Sequence, residues 1–270
     1  MSSGLRQRVV TALLLAALVI AVLFWLPPAA AVFAVMVAML AGAWEWAGFC
    51  GWRGRAQRAA YVVVIGLAIA AAWRYTAATD SLVSFLHVAA LWWLAAFLWV
   101  VLAADRGGRA AAALVGFAVL VPAAVGLGRL VLVQPQGQLL LLFLLVLIAA
   151  ADVGAYFGGR SLGRHKLAPR VSPGKTWEGF ATGMLGAVLA AMLGAQLFEQ
   201  PMLPWVLVCG TVALVSVVGD LAESMFKRRA GLKDSGDLLP GHGGVLDRID
   251  SLTAAGPSFL LGLHILGVAG

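Results

Sequence analysis

The densest grouping of chemistry-bearing side chains lies between residues 220 and 250. Asp220, Glu223, Ser224 and Lys227 fall at i, i+3, i+4 and i+7, which is one face of a helix. A carboxylate at the edge of an apolar segment is expensive and needs a partner or a metal. Two readings stay open: an interhelical clasp of Asp220, Ser224 and Lys227, or hard oxygen ligands with a lysine nearby for phosphate oxygens. Arg228, Lys233, Asp234 and Asp237 follow, then Gly241-His242-Gly243-Gly244. Glycines there let backbone approach a bulky anion, and consecutive N–H groups can form an anion nest. Asp247 and Asp250 stand at i and i+3 where a last helix begins, with Arg248 between them. Helix capping explains a carboxylate in that place. It does not explain the glycines, the histidine and Arg248 together.

A second grouping precedes it. Asp152 and Tyr156 are one helical turn apart, followed by Gly158-Gly159-Arg160 and then Ser172-Pro173-Gly174-Lys175-Thr176-Trp177-Glu178-Gly179. Gly174-Lys175-Thr176 imitates the end of a nucleotide-binding P-loop, but the required first glycine would fall at Pro169 and no strand precedes it, so that motif is rejected. Lys175, read as sitting at a helix start, remains a phosphate contact. Glu45, in Trp44-Glu45-Trp46, is either a wall of the site or a structural partner. His87, His165 and His264 are isolated, and no His/Cys spacing suggests zinc. Cys50 and Cys209 read as reduced thiols.

The elements that must position these residues are set by composition. Of 270 residues, 62% are hydrophobic and 11% charged, against roughly 25% charged in a soluble domain. Such a chain is no soluble enzyme, disordered polymer or secreted disulfide scaffold. Apolar runs long enough to cross a bilayer as helices occur near Val9–Leu26, Pro28–Trp46, Ala59–Thr76, Ser81–Ala103, Ala110–Val133, Gln138–Phe157, Trp177–Phe198, Pro204–Ala222 and Leu252–Val268. The expectation is an all-α polytopic membrane protein with about nine transmembrane helices. It forms one integral membrane domain over 1–270, with 1–140 a hydrophobic helical scaffold and 150–251 the catalytic helices and loops. Pro122 is expected to kink the fifth span. Gly154/Gly158 and Gly179/Gly183 read as close helix packing within the chain more than as a dimer face, and a homodimer stays open.

Basic residues fix an orientation. With the N-terminus cytoplasmic, seventeen of the 19 Lys and Arg fall on inner segments, Arg6 and Arg8 among them. Only Arg74 and Arg129 fall outside, at span ends. The first span is read as retained; its apolar core of eighteen residues is longer than a usual signal core, and cleavage stays the alternative. Positive-inside bias explains the cations of the inner loops 158–176 and 223–251 but not the carboxylates, and eight of the 12 acidic residues, Asp152, Glu178, Asp220, Glu223, Asp234, Asp237, Asp247 and Asp250, lie in or near these two loops. Mixed charge at one membrane face points to a site. A transporter would instead show midplane charges and paired halves, which this chain lacks.

The run Ser224-Met225-Phe226-Lys227-Arg228, Lys233-Asp234 and His242-Gly243-Gly244-Val245-Leu246-Asp247-Arg248-Ile249-Asp250 resembles the signature of phosphatidate cytidylyltransferases, without departure across Ser224–Asp250. Asp152 to Gly159 and Ser172 to Gly179 are similar to that family too, whereas residues 1–140 agree only as apolar spans and in Glu45-Trp46. The resemblance implies transfer of CMP from CTP to phosphatidic acid, giving CDP-diacylglycerol and pyrophosphate, with Mg²⁺ as cofactor and no nucleic acid as partner. By the same resemblance Asp220 and Asp247 hold the metal, helped by Ser224 and Asp250. Lys175, Lys227, Arg228, Lys233 and Arg248 contact phosphates, Gly243 and Gly244 admit the triphosphate, Asp152 and Tyr156 line the substrate site, and His242 is either a phosphate contact or a structural pin. The location implied is a bacterial inner membrane, with CTP arriving from the cytosol and lipid sliding in between helices. A related transferase acting on another lipid phosphate is the nearest alternative; the motif of CDP-alcohol phosphotransferases is not present.

Overall fold

In a computed structural model, residue 14 and residues 16–78, 81–238 and 243–269 are described. Within them the chain is a helical bundle: α1 (residues 16–24), α2 (Pro28–Phe49), α3 (Arg55–Ala78), α4 (Leu82–Leu102), α5 (Arg109–Val131), α6 (Gly137–Leu162), α7 (Trp177–Leu197), α8 (Met202–Arg229) and α9 (Leu246–Ile265). Between α6 and α7 a small antiparallel hairpin pairs β1 (Lys166–Ala168) with β2 (Ser172–Thr176). Continuous apolar sequence folds this way because a helix satisfies every backbone N–H and C=O within its own segment, which hydrocarbon demands.

Seven helices among the described residues, α2 to α8, are long and apolar enough to cross a membrane. Two of the nine expected spans stand apart. Of the first, Val9–Leu26, residues 9–13 and 15 lie outside the described residues, as do Arg6 and Arg8, and the described remainder is helical over 16–24 as α1. The last is the 20-residue helix α9, which carries Asp247, Arg248 and Asp250 in its opening turns and Pro257 further on. It is polar at one end and otherwise mostly buried against α5 and α8, so it owes its place to the bundle interior more than to lipid. Pro257 packs against Gly126 of α5, where an added Cβ would fall 2.7 Å from the Pro257 backbone.

Three neighbouring helices position the second grouping of residues. α6 and α7 meet backbone to backbone: a Cβ on Gly154 would lie 2.6 Å from Thr182 O, one on Gly183 2.8 Å from Ala151 O, and one on Gly186 2.6 Å from Ala150 O. Thr182 donates its hydroxyl to Gly154 O at 2.9 Å across this seam. The small residues therefore serve contact within the chain. Thr176 caps α7 by accepting from Gly179 N at 3.1 Å. Within the first turn, Glu178 accepts from the backbone N–H groups of Arg164 and His165 and pairs with His165 Nδ1 at 2.6 Å. These contacts tie the hairpin to the start of α7. Lys175 consequently sits on β2, just before the helix and not in its first turn. Pro122 lies inside a continuous α5.

Candidate active site

α6, α7 and α8 enclose a cavity of about 580 Å³. Its polar lining includes Asp152, Tyr156 and Arg160 of α6, Lys175 and Thr176 of β2, and Asp220 of α8; Phe180, Met184, Ala213 and Val217 make an apolar part. Asp152, Tyr156 and Arg160 recur every four residues, so α6 presents them along one stripe. Arg160 donates to Tyr156 Oη at 3.1 Å. Lys175 Nζ donates to Asp220 Oδ2 at 2.6 Å, and Ser224 Oγ to Asp220 Oδ1 at 3.3 Å. Asp152 lies within electrostatic range of both Asp220 and Lys175.

The remaining carboxylates form a second cluster where α8 meets α9. Lys227 Nζ donates to Asp247 Oδ1 at 2.5 Å and to Glu223 Oε2 at 3.1 Å. Asp247 Oδ2 in turn accepts the backbone N–H of Ser235 at 2.9 Å and of Gly244 at 3.0 Å. The anion nest anticipated around Gly243 and Gly244 is thus engaged by a carboxylate of this same chain. Gly243 has φ of 80°, in the left-handed region that favours glycine. Asp250 links the clusters, interacting with both Asp220 and Glu223. Gly219 makes room for that approach, since a Cβ there would sit 2.8 Å from Asp250 O.

Residues 6–266 match the cytidylyltransferase family. The chain belongs to that family. A phosphatidate cytidylyltransferase of Pseudomonas aeruginosa is 41% identical over 94% of this chain and 95% of its own length. One of Haemophilus influenzae is 36% identical over 94% and 97%, and one of Brucella suis is 50% identical over 45% and 46%.

The cytidylyltransferase-family signature is thus divided in space. Lys175, Asp152, Tyr156 and Asp220 share the cavity, with Ser224 beside it. Lys227, Asp247, Gly243 and Gly244 gather about two turns further along α8. Arg228, Lys233 and Arg248 are exposed around the same end of the bundle. His242 lies outside the described residues. Two site neighbours, Arg160 and Ser235, escape a reading by motif. Positive-inside bias alone accounts for Arg160 in the sequence, although its spacing from Asp152 and Tyr156 places it on their stripe. Ser235 becomes visible only once the loop after α8 is folded: it is buried, and its hydroxyl donates to Glu45, which is buried on α2 and whose role the sequence leaves open between site wall and structural partner. No spacing rule joins positions 190 residues apart.

Proposed function

We propose that this chain transfers CMP from CTP to phosphatidic acid, releasing pyrophosphate and CDP-diacylglycerol, at the cytoplasmic face of a bacterial inner membrane. The observation that carries this reading is the cavity between α6, α7 and α8. One part of it offers lysine, arginine and carboxylate, another only apolar side chains, and all three walls are helices of membrane length. That combination suits an amphiphile with an anionic head. Full-length similarity to proteins named phosphatidate cytidylyltransferase supplies the reaction.

A lipid phosphate is already ionised at neutral pH, so the attacking oxygen needs no strong general base. The obstacle is to hold two polyanions in line. Lys175 and Arg160 bind and orient the lipid phosphate at the cavity, while Phe180, Met184 and Val217 receive the start of its acyl chains. Arg228, Lys233 and Arg248 draw the triphosphate toward the cytoplasmic end, and the Gly243–Gly244 backbone admits it. Lys227 holds Asp247 in place against the loop.

Mg²⁺ fits the donor set. Among the described residues no three carboxylate, imidazole or thiolate groups gather closely enough to hold a metal ion by themselves. Mg²⁺ does not need them, since it usually takes one or two carboxylates and leaves its other positions to water and substrate phosphate. Asp220, Ser224 and Asp250 offer hard oxygens only, and Asp247 Oδ1 keeps a lone pair beyond the bond from Lys227. Bound by these residues, Mg²⁺ supplies charge neutralisation on the triphosphate.

Nine spans with the N-terminus inside remain the topology we favour, supported by the distribution of basic residues. The activity is tested with purified protein, labelled CTP, phosphatidic acid and Mg²⁺, alongside other nucleotides and a prenyl phosphate as acceptor. CDP-diacylglycerol should form, and Asp220→Asn should lower the rate on the order of 10²–10³-fold. No lipid product from the wild type, or preference for the prenyl phosphate, overturns the reading.

A further inference from the structure

Glu45 is 1% exposed and sits on α2, in the half of the chain that contributes nothing else to the two clusters. Its carboxylate accepts three donors. Ser235 Oγ reaches Oε2 at 2.9 Å, Leu246 N reaches Oε2 at 2.8 Å, and Val245 N reaches Oε1 at 3.0 Å. Val245 is the N-cap of α9 and makes no side-chain cap of its own. Glu45 therefore caps α9 from another helix, placing its two carboxyl oxygens on the orphan N–H groups at the positive end of the helix dipole.

The surroundings are shaped to this carboxylate. A Cβ at Gly236 would fall 2.6 Å from Glu45 Oε1, and one at Gly244 would collide with both Glu45 and the Ser235 hydroxyl. Ser235 is engaged on both sides. Its hydroxyl donates to Glu45 and accepts from Asp247 N at 3.3 Å, while its own N–H donates to Asp247 Oδ2. An unbroken series of polar contacts thus runs from Glu45 through Ser235 to Asp247 and on to Lys227. A purely structural carboxylate would need a partner only to offset its burial. Here all three partners belong to the loop and the helix start that present Asp247 and Gly244.

We propose that Glu45 is a positioning residue for the transfer reaction, acting through Ser235 and the first turn of α9 to hold Asp247 and the Gly243–Gly244 backbone in the geometry that receives the nucleotide triphosphate. The proposal rests on the cytidylyltransferase reading above. Glutamine at this position keeps the volume but brings an NH₂ group to a place where every neighbour is a donor, so at least one of the three bonds is lost and replaced by an opposed pair of donors. Lost bonds to a charged acceptor correspond to about a tenfold effect each.

The experiment compares wild type, Glu45→Gln, Ser235→Ala and the double variant in detergent, with kcat and KM measured separately for CTP and phosphatidic acid. A parallel measurement follows tryptic cleavage after the exposed Lys233. Glu45→Gln should raise KM for CTP and lower kcat by about tenfold, and speed cleavage after Lys233. KM for phosphatidic acid should stay within about twofold, because Glu45 does not line the α6–α7–α8 cavity. The double variant should be no worse than the more impaired single variant, as expected of residues acting through one contact. If Glu45→Gln does not fold, Ser235→Ala, which deletes one hydroxyl, carries the comparison. Unchanged KM for CTP and unchanged cleavage with only a lower thermal midpoint would overturn the proposal, and so would losses that multiply. A wild type that makes no CDP-diacylglycerol counts against the function itself, while the cleavage measurement still decides the positioning role.

Discussion

Replacing Lys227 by methionine removes one ammonium from between two buried carboxylates. The side chains of Lys227, Glu223 and Asp247 are 10%, 2% and 11% exposed, and the ammonium lies 3.1 Å from Glu223 and 2.5 Å from Asp247. An exposed pair of this kind is worth less than about 1 kcal/mol. Removing one partner of a buried pair costs about 3–5 kcal/mol, because the other charge stays behind without compensation. Here two are left behind, within range of each other and of Asp250. The expected loss is about 3–5 kcal/mol, a factor of roughly 10²–10⁴ in the folding equilibrium. Unfolding by added sodium dodecyl sulfate in mild detergent, followed by tryptophan fluorescence, reads it directly. Adding Glu223→Gln to Lys227→Met removes one of the stranded charges and should recover about 1–3 kcal/mol. A Lys227→Met protein within about 1 kcal/mol of wild type would refute the argument that the ammonium is the buried counter-charge of both carboxylates.

The Lys175–Asp220 pair makes the opposite prediction, being 28% and 26% exposed at its two side chains. Lys175→Met should leave stability within about 1 kcal/mol and lower turnover roughly 10²-fold, measured in the two assays already described. In the α6–α7 seam, Gly186→Ala should cost about 1–3 kcal/mol by thermal unfolding, since its Cβ meets the Ala150 carbonyl. Gly210→Ala, with nothing within 4 Å, should be neutral or stabilising by up to about 1 kcal/mol. Burial pushes the Cys50 thiol up to about 11. At pH 7.5 only about one molecule in three thousand then carries the thiolate. Maleimide labelling of Cys50 in native micelles should be far slower than after unfolding, and rapid native labelling would contradict its burial.

Membrane-length helices were legible because hydrocarbon leaves the chain no other way to satisfy its backbone, so continuous apolar sequence maps onto α2 to α8 with little ambiguity. Helix α9 was harder, because it lies inside the bundle and tolerates polar residues that a lipid-facing span would not. The β1–β2 hairpin was invisible. Ser172-Pro173-Gly174-Lys175 shows no alternation and contains two residues that strands avoid, and the segment leading into β1 is anchored where Arg164 N and His165 N donate to Glu178. At the site, spacing along α8 correctly put Asp220, Ser224 and Lys227 on one helix, yet it could not divide them. Asp220 turns to Lys175, and Lys227 turns to Asp247. That division depends on which element meets α8 at each height, β2 beside Asp220 and α9 beside Lys227, which is tertiary information. Glu45 illustrates the same limit, since the sequence left its role open between site wall and structural partner.

The balance of charge within the site bears on how substrates enter. Asp152, Asp220, Glu223, Asp247 and Asp250 interact with one another across α6, α8 and α9, and the only ammonium groups bonded to them among the described residues are those of Lys175 and Lys227. Each lysine is already engaged by carboxylate. A triphosphate approaching this arrangement meets an excess of negative charge, and the exposed cations at the rim are screened by salt over about 8 Å. Cations at the rim can therefore raise the encounter rate without offsetting the repulsion inside. A divalent cation held by Asp220 and Asp250 would remove the excess at its source. EDTA should consequently abolish binding of CTP itself, measured by equilibrium dialysis on protein that is not turning over, and Mg²⁺ should restore it. CTP retained at full affinity in EDTA would show that the rim cations suffice, and the carboxylate excess would then have no bearing on nucleotide entry.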